Sequence, residues 1–159
     1  GNFLPSTIML SYQTMLDFDL FPRGKVIMGG VNTYIRNAGP RETIFTALCR
    51  KNMGCSHFII SSDQAGIEDL HDSYASQKLI ESVGDFGIKL EFFDDVGYDE
   101  STKSYGSIND SAEMLSIDTA EICSMLSDGK IVPDWMMREA VQERIRSEIS
   151  KNQALFINE

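Results

Sequence analysis

Apolar positions recur along this chain with two alternating periods, one helical and one extended. Residues 6–16 place Ile8, Met9, Tyr12, Met15 and Leu16 on one helical stripe, and Ser6 is a suitable cap. Asp17–Gly24 is a turn punctuated by Pro22 and Gly24, and Lys25-Val26-Ile27-Met28 is a short buried strand ended by Gly29-Gly30. Gly39-Pro40 opens a second helix, with proline in the first turn where its missing N–H costs nothing. Ile44, Phe45 and Leu48 form its apolar face, and Gly54 is its stop. His57–Ser61 is a second buried strand, Asp63–Asp72 a polar loop, Tyr74–Val83 a third helix and Ile88–Phe93 a third strand. The order strand, helix, strand, helix, strand predicts right-handed parallel crossovers and an α/β sheet.

Asp94–Ser111 is rich in Asp, Gly, Ser and Tyr, and is expected as a long loop or a hairpin with Tyr98 and Tyr105 flanking its turn. Asp118-Thr119-Ala120-Glu121 has the form of a capping box. It opens a helix over Ile122, Met125 and Leu126 that stops at Asp128-Gly129. Pro133-Asp134 starts the last helix, with Met137, Val141, Ile145 and Ile149 inward. The apolar tail Ala154–Ile157 is either an added strand or the first strand of a further element.

The 159 residues, 42% of them apolar, suit one domain with a real core. No apolar run approaches a membrane span, and no secretory signal precedes the first helix. Cys49, Cys55 and Cys123 are odd in number and irregularly spaced, which argues for a reducing compartment over a disulfide framework. The only histidines, His57 and His71, give no zinc spacing, so no metal site is expected. Fourteen basic residues against 24 acidic ones give a net charge of −10, which disfavours nucleic acid and anionic lipid. An anion site on such a chain must be made locally, by helix N-termini or a few arginines.

The chemistry-bearing signals lie in ordered segments. These are Arg36-Asn37-Ala38-Gly39-Pro40-Arg41-Glu42, Arg50-Lys51-Asn52-Met53-Gly54-Cys55-Ser56-His57-Phe58-Ile59, Asp63-x-Ala65-Gly66, Ser116-Ile117, and Leu126-x-x-Gly129-Lys130-x-x-Pro133-x-Trp135. Together with the first helix they resemble the later two-thirds of the catalytic domain of the ATP sulfurylase (sulfate adenylyltransferase) family. The resemblance implies a three-layer, nucleotidyltransferase-like (Rossmann-like) α/β domain with a parallel sheet and C-terminal helices. It would occupy residues 1–152, with 153–159 a tail, and be incomplete at its N-terminal side. It also implies transfer of AMP from MgATP to sulfate, giving adenylyl sulfate and pyrophosphate, in the cytoplasm and in sulfate assimilation.

That family draws its positive charge from three segments. A Q-T-R-N-P-x-H-R-A-H segment has no match between Gly1 and Glu159, so the strand, helix and strand that carry it are expected to be missing. A G-R-D-H-A-G loop reads here Ser61-Ser62-Asp63-Gln64-Ala65-Gly66, with Ser62 for the arginine and Gln64 for the histidine. An I-S-G-T-E-L-R helix start reads Ile117-Asp118-Thr119-Ala120-Glu121-Ile122-Cys123, with a carboxylate where a hydroxyl would meet phosphate and a thiol for the arginine. The matches are turns, caps, strand residues and the tryptophan, while the departures fall where charge chemistry sits.

The resemblance leaves Arg41, Asp63, Gln64, Ala65, Gly66, Val96 and Ile117 as candidate nucleotide- or anion-binding residues, and no catalytic residue. Arg41 has a plain alternative as a helix-start surface residue, Gln64 as a neutral loop contact, and Phe93–Val96, where the family lines its adenine pocket, as core. His57 reads as a strand boundary, His71 as solvated, Met136 and Met137 as core or interface. Cys49 and Cys55 lack the base that nucleophilic catalysis needs, apart from the nearby His57.

The expected function is an ATP sulfurylase-like domain that does not catalyse alone. The alternatives are a non-enzymatic assembly module on the same fold, or an adenylyltransferase of altered substrate completed by further chain. Expected partners are ATP, sulfate or adenylyl sulfate and a second copy of the chain. The exposed edge left by an absent central strand invites pairing, so either a homo-oligomer or the tail Leu155–Ile157 should cover it.

Overall fold

The computed structural model describes residues 2–34, 38–61, 79 and 82–157. It is a mixed α/β chain with small sheets, and it divides into two compact units. One unit joins the two ends of the chain, Gly1–Asn32 with Ser116–Glu159; the other is Thr33–Leu115.

In the first unit, β1 (Asn2–Phe3) pairs antiparallel with β7 (Phe156–Ile157), so the tail is an added strand, the first of its two expected forms; the expectation that it fills the edge of the parallel sheet is corrected, because it pairs with β1 in a separate two-stranded sheet. Phe3 lies opposite Phe156, with ring centroids 5.6 Å apart. The helix α1 (Pro5–Asp17) follows, then α3 (Thr119–Ser127) and α4 (Glu139–Ser150) from the far end of the sequence. Ile122, Leu126, Val132, Val141, Ile145 and Leu155 form the core, with Met15, Met125, Met136, Met137 and Ile149 packed against it. The helical periods of α3 and α4 are therefore spent as the sequence indicates.

Four further expectations in this unit are corrected. The first helix begins at Pro5 after Leu4, not at a Ser6 cap, because proline already fits the first turn. Its buried face is Thr7 and Thr14, whose hydroxyls donate to the carbonyls of Leu155 (2.8 Å) and Leu10 (2.8 Å). The stripe of Ile8, Met9 and Tyr12 is left 46%, 40% and 51% exposed. The strand expected over Val26–Met28 is corrected: among the described residues this segment belongs to no sheet. The last helix starts at Glu139, not at Pro133. Pro133 closes a separate turn by accepting from the N–H groups of Met136 and Met137, and the Met137 carbonyl is taken by Gln142.

Gln142 is 5% exposed. Its Oε1 accepts from the Val132 N–H at 3.1 Å, and its Nε2 donates to the carbonyls of Val132 and Met137, both at 2.7 Å. One side-chain amide thus satisfies three backbone groups of the segment that joins α3 to α4, where unmatched groups are costly.

The second unit holds α2 (Pro40–Asn52), β2 (His57–Ser61), β3 (Lys89–Phe93), and the strands β4 (Val96–Asp99), β5 (Ser104–Ser107) and β6 (Leu115–Ser116), whose last residue belongs to the first unit. β2 and β3 are parallel with Phe58 opposite Leu90, as predicted for these two segments. α2 packs on β2 with Ala47 and Thr43, each 1% exposed, so the face assigned to Phe45 and Leu48 is corrected; those side chains are 49% and 39% exposed. Ile60 on β2 and Ile88 just before β3 are buried as well. The helix expected over Tyr74–Val83 lies mostly outside the described residues; Leu79, Ser82 and Val83 are helical.

β4 and β5 form the expected hairpin, with Tyr98 opposite Tyr105 and their rings 5.2 Å apart. β6 lies on the other side of β4. Gly97 is required there, since a Cβ would come within 2.9 Å of Ile108 and 3.2 Å of the Leu115 carbonyl. The turn is tied by Asp99, which accepts from the Ser101 N–H (2.8 Å) and hydroxyl (2.7 Å) and from the Thr102 hydroxyl (2.9 Å). The hydroxyls of Ser101 and Thr102 and the Ser101 amide hold its carboxyl at about 2, against an ordinary 3.8.

Two outcomes follow. Replacing Gln142 by Leu should cost roughly 2–4 kcal/mol in urea unfolding, because it leaves buried backbone groups without partners. For Asp99, a depressed value means that its contribution is fully present above the ordinary carboxylate value and is lost as pH falls through about 2. An NMR titration should show the Tyr98 and Tyr105 resonances following that lower midpoint, not one near 3.8.

Candidate functional site

The start of α2 is set by Gly39 and Pro40. Gly39 adopts φ +58° and ψ −137°, a backbone conformation open in practice only to glycine, and its carbonyl accepts from the N–H groups of Glu42 (2.9 Å) and Thr43 (3.4 Å). Arg41 follows in the first turn and is exposed. Glu42 turns back, and its Oε2 accepts from the Ala38 N–H at 3.0 Å. A carboxylate is favourable at a helix N-terminus, so this helix start already holds its own negative charge.

The start of α3 repeats that arrangement. Asp118 is extended at φ −100°, and its Oδ1 accepts from the Ala120 N–H at 2.8 Å, the cap expected from the sequence. Ile117, just before it, is 39% exposed. Cys123 lies one turn further on and is 5% exposed beside Ile122 and Leu126. Burial pushes its thiol up, so it stays neutral and offers no charge to an anion. All three cysteines are free thiols. Lys130, in the matching Gly129-Lys130 segment, is paired with Asp128 at 2.8 Å, and that bond raises its ammonium value.

Val96 opens β4 opposite Ser107 and is 53% exposed; Phe93 is 55% exposed. The core reading of Phe93–Val96 is corrected: both ends of that strand junction face outward. Its polar neighbours are acidic, with Asp94 accepting from the Ser107 hydroxyl at 3.1 Å and the Asp95 carbonyl accepting from the Ile108 N–H at 2.8 Å.

Arg41 and Val96 therefore lie in the inserted unit and Ile117 in the unit that joins the chain ends. Asp63, Gln64, Ala65 and Gly66 lie outside the described residues, as do Ser62, Arg36 and His71. His57 is at the start of β2 and exposed, with Nδ1 3.0 Å from the Ser56 hydroxyl, the boundary position expected of it. Beside it on β3, Lys89 and Glu91 pair at 2.6 Å, and that partner lowers the Glu91 carboxyl. Among the described residues no group of three or more His, Cys, Asp or Glu side chains could hold a metal, and no helix is long and apolar enough to cross a membrane.

Sequence reasoning missed one feature. A groove of about 790 Å³ runs along α1, lined by Ile8, Met9, Tyr12 and Leu16 on one side and Val26–Asn32 on the other. It escaped notice because both apolar stretches read as core. The signal was present in Val26-Ile27-Met28, which is apolar on both faces of an extended chain and so demands more neighbours than one helix.

The ATP-sulfurylase family model matches residues 1–148. Similar curated proteins are sulfate adenylyltransferases. That of Synechocystis sp. is 34% identical over 146 residues, covering 87% of this chain and 37% of its own. That of Halothermothrix orenii is 35% identical over 153 residues, covering 88% and 38%. That of Thermococcus onnurineus is 31% identical over 155 residues, covering 92% and 40%. The chain thus spans about two-fifths of the length of these relatives. The turns, caps and strands described above and the match along almost the whole chain lead to one assignment: this chain belongs to the ATP-sulfurylase family.

Proposed function

We propose that the chain is an ATP sulfurylase-like domain that does not carry out adenylyl transfer by itself. In the reaction the relatives are named for, a sulfate oxygen attacks the α-phosphorus of ATP. A new P–O bond forms, the bond to the bridging oxygen breaks, and pyrophosphate leaves. The transition state gathers negative charge from two polyanions, so it needs aligned donors and cations. The observation that carries the proposal is that the helix starts at Gly39 and at Asp118, the two that fall in family motif segments, each hold their own carboxylate. Ser62, Gln64 and Cys123 add no cation where the family motif has basic groups, and Cys123 is buried as well.

The finer reading is a three-layer, nucleotidyltransferase-like domain in the cytoplasm. MgATP or adenylyl sulfate would contact Arg41, the Asp63-Gln64-Ala65-Gly66 loop, Val96 and Ile117. An assembly role on the same fold is the second reading, and the apolar groove along α1 favours it.

Purified protein is expected to show no sulfate-dependent pyrophosphate exchange, since each lost charge-stabilising donor costs about a hundredfold or more in rate. Formation of adenylyl sulfate would overturn the proposal. In a sulfate titration followed by NMR, any shifts should centre on Gly39–Glu42. Arg41→Ala should remove them, Glu42→Gln should strengthen them by removing the competing carboxylate, and Asp118→Ser should create a second site. Shifts around Asp118 in the unaltered protein, with none at Gly39–Glu42, would refute the placement of the anion.

A further inference from the structure

We draw no further inference here: the strongest candidate, the apolar groove between α1 and residues 26–32 in the unit that joins the chain ends, carries nothing, because nothing in the structure shows what covers it.

Discussion

The joining of the two chain ends is the constraint on which the rest of this structure depends. The Thr7 hydroxyl and the Leu4 N–H both donate to the Leu155 carbonyl, at 2.8 and 2.9 Å, across almost the whole sequence. β1 and β7 extend the same contact, and Leu155 continues it into the core of α3 and α4. The buried core lies between Ile122 and Leu155, and residues 2–17 add the threonine face of α1 and the partly buried Phe3 and Met15 that pack against it. Closing so long a loop is entropically costly, although that cost grows only slowly with length. It is offset by buried apolar surface and by hydrogen bonds that leave few backbone groups unmatched. The unit Thr33–Leu115 is thereby an insertion between two halves of another unit.

Such an arrangement explains what was legible in the sequence. Local signals succeeded: the Asp118 cap, the Gly39-Pro40 helix start and the Tyr98–Tyr105 hairpin are each set by neighbours in sequence. Signals that depend on distant partners failed. The inward face of α1 is decided by Leu155, which gives Thr7 an acceptor and so lets a polar residue outcompete Ile8 for burial. The start of the last helix is decided by Gln142, whose amide claims the Met137 carbonyl. A sequence pattern records how apolar each face is, but not which face can also satisfy its hydrogen bonds.

The candidate site shows the same division. The positions of its turns and caps could be read directly, because they follow from glycine, proline and short polar side chains. What those turns do with charge could be read only in part. Asp118 as a cap was evident, and so was the loss of basic groups at Ser62, Gln64 and Cys123. The role of Glu42 was not, since a glutamate in a first turn can face solvent or fold back on the helix start, and only coordinates show it bonded to Ala38. Once folded back, it competes with any bound anion for the same partial positive charge. Arg41, its neighbour, adds a cation beside a carboxylate rather than beside an empty cradle.

Both units leave apolar side chains on strands outside their cores, and the cause lies in the sheets. Parallel strands are ordinarily covered on both faces. In the parallel pair β2–β3, Ile60 is buried while its neighbour Ile59 is 63% exposed, and Phe93 on the partner strand is 55% exposed. Alternation along a strand sends Ile59 and Ile60 to opposite faces, so α2 can cover only one of them. Val26-Ile27-Met28 repeats the demand, and among the described residues no strand pairs with it. In both places the residues are chosen for two-sided burial, which explains why the sequence reads as a larger sheet than the described residues build. A hydrophobic pattern states a demand for neighbours. Whether a chain meets that demand depends on the elements that reach it, and here α1 and α2 each reach one side.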